Sequence, residues 1–126
     1  MDQQPTLDAD LPATDPAALD RLRRFGGGKL LVEMIRLFLE SGPQRVAAMH
    51  TGLAQGDSES VERALHSLKS SAAQLGALRL QRLAERGERL AKAGTLEAVS
   101  AQLSQLEQEL AHVNEWLVLA RDEGTA

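Results

Sequence analysis

The segment LEAVSAQLSQLEQELAHVNEWLVLA (residues 96–120) decides the fold class of this 126-residue chain. Apolar residues recur along it at alternating spacings of three and four, at Leu96, Val99, Leu103, Leu106, Leu110, Val113, Leu117 and Ala120. This spacing places them on one stripe of an α-helix, and the pattern lasts for more than three heptads. The segment is therefore predicted to be a long amphipathic helix whose apolar stripe must be covered by other helices.

Earlier segments carry apolar stripes of the same kind, and each is followed by glycine. A short helix is expected after Pro16, and a second helix from about Lys29. The stripe of this second helix keeps its phase across Pro43, which indicates one kinked helix and not two separate ones. Asp57 can cap a third helix, and a fourth follows it. Glycine commonly ends helices, and the glycines at the expected ends are Gly26–Gly28, Gly56, Gly76 and Gly94.

The connections between these helices are short, so neighbouring helices should run antiparallel. The prediction is an all-α protein, an up-and-down antiparallel four-helix bundle with a short extra N-terminal helix. The acidic, proline-containing residues 1–14 are expected to form a flexible lead, residues 15–122 the bundle, and residues 123–126 a C-terminal tail.

The composition excludes several classes of function. Hydrophobic residues make up 43% of the chain and aromatic residues 2%, which predicts a core built from aliphatic residues and favours helices. The absence of cysteine excludes disulfides and thiolate metal sites, and three scattered histidines predict no metal site. A net charge of −4 argues against nucleic acid as the partner. Neither a signal peptide nor a membrane-spanning segment is recognisable, so a cytoplasmic location is expected.

The sequence GGGK (Gly26–Lys29) invites comparison with a phosphate-binding loop. That motif needs a glycine where Arg23 stands and Ser or Thr where Leu30 stands, and it follows a β-strand. These glycines are therefore interpreted as a break between two helices.

The segment ALHSLKSSAAQLGA (Ala64–Ala77) places His66 in the third helix. An advance of about 100° per residue puts His66 roughly 140° from the centre of the apolar stripe, on the outer surface. Lys69 lies about 60° from it around the helix and one turn on, close enough for its ammonium group to lie over the ring. The residues expected around His66 are Glu59, Glu62, Ser70, Ala73 and Ala77.

Two interpretations of this pair are open from spacing alone. Exposed His–Lys pairs on helices are common and usually solvated. A neutral imidazole is, however, a nucleophile that can attack an activated phosphoryl group, and a nearby lysine would offset the negative charge that phosphorylation adds. His50 and His112 have no lysine or acidic cluster in a matching place and are interpreted as ordinary histidines at helix flanks.

Arginines recur in the fourth helix at spacings of three, four and three, at Arg79, Arg82, Arg86 and Arg89. This stripe is either a solvated face with Glu85–Arg89 and Glu88–Lys92 pairs or, where it lies beside His66, a surface that steers an acidic partner. The sequence leaves both open.

The residues from His66 onward resemble the histidine phosphotransfer (HPt) domain family of bacterial phosphorelays. The family pattern is His-x-Leu-Lys-Gly-Ser, then small residues, and a glycine ten residues after the histidine. This chain has HSLKSSAAQLGA, with Ser70 in place of the usual glycine. The upstream segment FLESGPQRVAAMHTGLAQGD (residues 38–57) is similar to the preceding helix and turn of the family, and the resemblance covers roughly residues 15–120.

The resemblance implies a role for each matching residue. His66 is the expected phospho-acceptor, through the ring nitrogen farther from the backbone. The Ser70 side chain either narrows the approach of the partner or bonds a phosphate oxygen. The other expected roles are phosphate support by Lys69, Ser70 and Gln74, close packing at Gly76, and docking of the receiver at Glu62, Ala73 and Ala77.

The implied function is that of a phosphorelay intermediate, in which His66 takes a phosphoryl group from the phospho-aspartate of one receiver domain and passes it to another. The expected partners are receiver domains of response regulators or of a hybrid sensor histidine kinase, with no nucleic acid and no membrane, and the protein is expected to be a monomer. Magnesium would belong to the receiver, so no cofactor or metal is expected on this chain. Without an ATP-binding domain, the chain would be a carrier and not an enzyme.

Two alternatives to this function remain. One is an oligomerisation module that pairs through the apolar stripe of residues 96–120. The other is an adaptor that binds a receiver without carrying phosphate.

Overall fold

The computed structural model describes residues 11–125, with side chains to residue 123. Over this range the chain forms four helices and no strand: α1 (Pro16–Gln55), α2 (Ser58–Leu75), α3 (Leu78–Lys92) and α4 (Leu96–Thr125). Each helix packs on the next along the chain, and α4 packs on α1. This arrangement confirms the predicted up-and-down four-helix bundle. Residues 1–10 of the predicted lead and residue 126 of the predicted tail lie outside the described residues, whereas residues 123–125 continue α4.

Helix α1 contains the predicted break between its short N-terminal part and its main part. Asp15 caps its start by accepting a hydrogen bond from Ala17 N–H at 3.1 Å, and Pro16 occupies the first turn. Gly27 alone has non-helical angles, φ 79° and ψ −178°, a combination that essentially only glycine adopts. The GGGK sequence is thus a helix break, as interpreted. The helix also continues through Pro43, as its stripe predicted.

Gly76 ends α2 and holds the start of the chain close. Its φ of +76° is in the left-handed region, and a Cβ there would lie 2.5 Å from the Asp15 carbonyl oxygen and 2.7 Å from the Ala18 Cβ. The Asp15 N–H donates to the Gly76 carbonyl at 2.8 Å. Arg79 adds a hydrogen bond from its guanidinium to the Leu11 carbonyl at 2.7 Å. The turn between α2 and α3 therefore anchors the N-terminal segment.

The core is one hydrophobic cluster to which all four helices contribute. The apolar stripe of α4 is used inside this core. Its buried members are Val99, Leu103, Leu106, Leu110, Val113, Leu117 and Ala120, and Leu96 is partly buried against the cluster. Because the chain's own helices cover this stripe, the oligomerisation alternative loses the observation that motivated it. None of the four helices carries an apolar stretch long enough to cross a membrane within the part of the chain described.

A polar contact joins α1 and α4 on their exposed side. His50 Nε2 lies 3.1 Å from Glu107 Oε2, with both side chains about half exposed. The sequence predicted no lysine or acidic cluster beside His50, and this contact between residues 57 positions apart adds one glutamate and no lysine.

Candidate functional site

His66 lies on the outer surface of α2, as its position on the helix predicted. The neighbouring Leu65 and Leu68 are fully buried and fix the rotation of the helix. The side chain of His66 is 59% exposed, so its ring is accessible to another molecule.

A buried carboxylate on the next helix contacts the ring. His66 Nδ1 lies 2.8 Å from Glu88 Oε2, although the two residues are 22 positions apart. The Glu88 side chain is only 7% exposed, and no other charged residue in the described part of the chain is buried. Burial of a carboxylate is costly unless it is paired. The partners of Glu88 therefore define the site.

Lys69 is the second partner of Glu88. Its Nζ lies 2.7 Å from Glu88 Oε1, so the two carboxylate oxygens hold the lysine and the histidine separately. The sequence placed the Lys69 ammonium over the ring of His66. The structure corrects this, because the carboxylate of Glu88 attracts the ammonium more strongly than a ring can.

A third cation, Lys92, lies at the edge of this group. Its Nζ is 3.9 Å from Glu88 Oε2 and 3.8 Å from Glu62 Oε2, and its side chain is 58% exposed. Ion pairs at that distance and exposure contribute little energy. Lys92 therefore adds positive charge beside the site without fixing its geometry.

The position of Glu88 follows from close packing of α3 on α2. A Cβ at Gly87 would lie 2.9 Å from Gln102 Nε2 and 3.1 Å from each methyl carbon of Leu65, so glycine avoids crowding where the two helices pack closely. Ala84 and Ala91, one turn before and one turn after, are also buried and small. The short side chains on this face bring the backbone of α3 within reach of His66 and Lys69.

Electrostatics fix which ring nitrogen of His66 carries a proton. Burial raises the pKa of the Glu88 carboxyl group, but hydrogen bonds from Lys69 and His66 outweigh it, so the pKa lies below its usual value. Glu88 is therefore ionised at neutral pH and can only accept hydrogen bonds. Nδ1 of His66 must be the donor, which leaves the lone pair of the neutral ring on the outward Nε2.

Most other predicted site residues lie on the same outer surface of α2. Ser70, Ala73 and Gln74 are exposed, and Glu62 is half-buried beside Lys92. Gln74 also lines a groove between α2 and α1.

The structure contradicts the predicted role of Ala77 in docking the receiver. Ala77 is fully buried as the N-cap residue of α3, so it cannot form part of a docking surface. The prediction counted helical turns past Leu75, where α2 ends. Gly76 was expected at a position of close packing, and it does lie close to another segment of the chain, at Asp15 and Ala18.

The arginines of α3 do not all face the site. Arg79 is directed towards the Leu11 carbonyl and lies 4.0 Å from Glu109 of α4, whereas Arg82 and Arg89 are exposed. Lys92, the last residue of α3, contacts Glu88, the carboxylate that pairs with His66.

Glu88 is the site residue that the sequence did not predict. It was assigned to a solvated Glu88–Lys92 pair, which exists only as a 3.9 Å contact. A signal was present, because Glu88 is four residues after Ala84 and three before Ala91, both of the apolar stripe. A carboxylate at the flank of a buried stripe requires a cationic partner on the facing helix.

Residues 11–125 contain no group of three or more His, Cys, Asp or Glu side chains that could hold a metal ion. The site is thus a histidine, a lysine and a carboxylate on two packed helices.

The sequence pattern of the Hpt domain family matches residues 33–116, more than half of the chain. The chain therefore belongs to the Hpt domain family, and its role is histidine phosphotransfer in phosphorelays. Proteins of this family carry phosphoryl groups, are not kinases, and interact with receiver domains.

A solved structure shares the fold. It is the crystal structure of histidine-containing phosphotransfer protein B (HptB) from Pseudomonas aeruginosa PAO1, with a TM-score of 0.83 and 24% sequence identity. The alignment covers 90% of this chain and 98% of that chain. A search among curated proteins finds no match.

Proposed function

We propose that His66 carries the phosphoryl group, which it accepts on Nε2 from the phospho-aspartate of one receiver domain and passes to the aspartate of another. This proposal rests on the shared carboxylate of Glu88, which holds Nδ1 as a donor at 2.8 Å and so leaves Nε2 as an exposed nucleophile. His50 is also paired with a carboxylate, but through Nε2, and it lacks a lysine on the same carboxylate.

The step itself needs no other group from this chain. The Nε2 lone pair attacks phosphorus, the N–P bond forms, and the P–O bond to the receiver aspartate breaks, which returns that aspartate as a carboxylate. The ring of His66 gains positive charge as the bond forms. Glu88, at 2.8 Å from Nδ1, stabilises that charge, as a carboxylate does for the histidine of a catalytic triad.

Lys69 has two roles in this proposal. Before transfer it neutralises Glu88, which keeps the carboxylate from drawing a proton onto Nε2 of His66. After transfer the phosphoryl group brings roughly two negative charges next to the site. Lys69 and Lys92 are the ammonium groups of the site that can offset those charges, and the Ser70 hydroxyl is exposed one turn after His66.

The remaining chemistry is assigned to the partner. Magnesium and the acidic residues that activate the aspartate would belong to the receiver, and this chain would act as a carrier with no kinase activity of its own. The cytoplasmic location expected from the sequence stays a prediction.

The direct test is transfer from a radiolabelled phospho-receiver to the chain. We expect His66→Gln to abolish labelling, because the amide has no nucleophilic nitrogen. His50→Gln is the matched control, since it removes the other carboxylate-paired histidine and should leave labelling unchanged. Undiminished labelling of His66→Gln would rule out His66 as the carrier.

A further inference from the structure

A groove of about 300 Å³ runs between α1 and α2, next to the surface that carries His66. Its walls are partly apolar, and Leu37 at its rim is 47% exposed, which is unusual for a large apolar residue in this protein. The lining residues are Met34, Leu37, Phe38, Ser41 and Arg45 of α1 and Ser71, Gln74 and Leu75 of α2.

Arg45 is the one cation that lines this groove. Its Nε is buried without a hydrogen-bond partner, and no ion pair reaches the side chain from residues 11–125. The positions three and four residues away hold Ser41, Gly42, Ala48 and Met49, so no acidic residue lies one turn away on α1.

Arg79 also has a buried Nε without a partner, but its guanidinium donates to the Leu11 carbonyl and lies 4.0 Å from Glu109. Arg45 differs because no hydrogen bond or ion pair from the described residues reaches its guanidinium. Arg23 and Arg36 are paired with acidic residues on their own helix, and Arg63 donates to Ser60. Arg82 and Arg89 lack such contacts but are exposed, where water satisfies them. A buried, unpaired guanidinium nitrogen is unfavourable and requires an explanation. For Arg45 a partner from outside the chain supplies one.

We infer that Arg45 selects the receiver partner by binding a carboxylate on the receiver surface, while Leu37 and Met34 contact apolar side chains beside that carboxylate. Arginine favours carboxylates because its planar guanidinium donates two parallel hydrogen bonds. Since no acidic residue of the described chain reaches Arg45, we assign the carboxylate to the partner. The inference rests on the proposed function, because the partner is the receiver that exchanges the phosphoryl group with His66.

The groove lies within the area that such a receiver would cover. Ser71 and Gln74 follow His66 by five and eight residues, so they lie about 7 to 12 Å along α2. A protein that docks over His66 covers a patch roughly 30 Å across, if it buries the usual area of about 800 Å². Gln74, an exposed residue of α2, therefore connects the groove to the surface around His66.

The test compares Arg45→Gln with the wild-type chain, using a phosphorylated receiver domain selected for transfer to the wild-type chain. We expect kcat/KM for transfer to fall about 10-fold, because a charge-assisted hydrogen-bonded contact is lost. The rate at saturating receiver should change little. Phosphorylation of His66 by phosphoramidate, which needs no docking, should also be unchanged.

Arg36→Gln is the matched control. It removes an arginine from the same helix, nine residues away and thus on the opposite face, and should leave kcat/KM unchanged. Thermal unfolding of both variants establishes that they fold. An unchanged kcat/KM in Arg45→Gln, or an equal loss in Arg36→Gln, overturns the inference. A dimer that dissociates in Arg45→Gln overturns it as well, since the groove would then bind a second copy of this chain. Transfer that survives in His66→Gln would instead refute the proposed function.

Discussion

At the scale of single residues, Glu88 determines how charge is distributed in the site. One buried carboxylate is shared by His66 and Lys69, each on its own oxygen. The negative charge is therefore balanced by the ammonium group of Lys69, and His66 donates from Nδ1 to the other oxygen. This division of roles leads to two predictions.

Lys69→Gln should move the pH dependence of phosphoryl transfer upward. Without the ammonium group, the Glu88 charge is balanced chiefly by His66, which favours the protonated, non-nucleophilic ring. Transfer at pH 7 should fall several-fold and recover at higher pH. Single-turnover rates measured between pH 6 and 9 test this. Lys92→Gln is the control and should give a smaller shift, because Lys92 is 58% exposed and farther from Glu88. A uniform loss of rate at every pH would contradict it.

Glu88→Gln should remove a pH-dependent part of the stability. The folded-state pKa of Glu88 is lowered, so its contribution is present above the unfolded value of about 4.3 and is lost as pH falls through the folded pKa. We expect Glu88→Gln to be less stable by about 1–3 kcal/mol at pH 7, because the hydrogen bonds to a charged group are lost. The difference from wild type should shrink under acid conditions. Urea unfolding at pH 7 and pH 3 measures it, and a difference that is constant with pH would refute it.

The same variant has a spectroscopic consequence. In the wild-type chain, ¹⁵N NMR of the ring should show the Nδ1-protonated form of neutral His66. Glu88→Gln should weaken this preference, because an amide can donate as well as accept. A purely structural role of Glu88 would leave the tautomer unchanged.

The sequence predicted part of this site. His66 and Lys69 are on one helix, and local periodicity determines their positions. Glu88 comes from another helix, and its contact depends on how closely α3 approaches α2 at Gly87. Arg45 was not predicted for a related reason: an unsatisfied nitrogen is recognised only when all its neighbours are placed.

At the scale of the secondary-structure elements, helix ends and helix faces are predicted from different features of the sequence. The ends at Gly56, Gly76 and Gly94 were predicted, because the left-handed turn that ends a helix strongly favours glycine at a local position. Ala77 was misplaced, because one residue beyond such a turn the helical rotation no longer applies. Sequence periodicity therefore holds within an element and fails at its boundary.

Two glycines permit a test of the contact between the N-terminal segment and the turn after α2. Gly56→Ala and Gly76→Ala impose the same strain at φ +68° and +76°, about 1–2 kcal/mol. A methyl group at Gly56 meets nothing within 4 Å, whereas at Gly76 it meets backbone of Asp15 at 2.5 Å. We expect Gly76→Ala to cost about 1–3 kcal/mol more, measured by urea unfolding. Equal losses of stability in the two variants would show that the N-terminal segment does not pack closely against this turn.

At the scale of the whole molecule, the four helices share one core. The sequence predicted this arrangement because every apolar stripe needed a partner and the short connections allowed only antiparallel neighbours. It could not predict the axial register and the spacing between neighbouring helices, which decide that His50 meets Glu107 and that α3 presents Glu88 to His66.

Leu106→Ala tests the shared core. Leu106 is fully buried, so its truncation should cost about 2–5 kcal/mol while unfolding remains a single transition. Sedimentation at micromolar concentration should give a monomer of 13.6 kDa for the wild-type chain, because the α4 stripe is already covered. A stable dimer that dissociates and unfolds when stripe leucines are made polar would restore the oligomerisation alternative.

Gly27 lies between two segments that are anchored separately. The segment before it is held at the α2–α3 turn by Asp15 and by the buried Ala18 and Leu19, and the segment after it begins the main part of α1. The glycines themselves are exposed, and a Cβ at Gly27 would touch nothing within 4 Å. Extra chain inserted here lengthens an outer connection without moving either anchor. A fluorescent reporter or a cross-linking tag can therefore be spliced in at Gly27 without displacing either anchored segment.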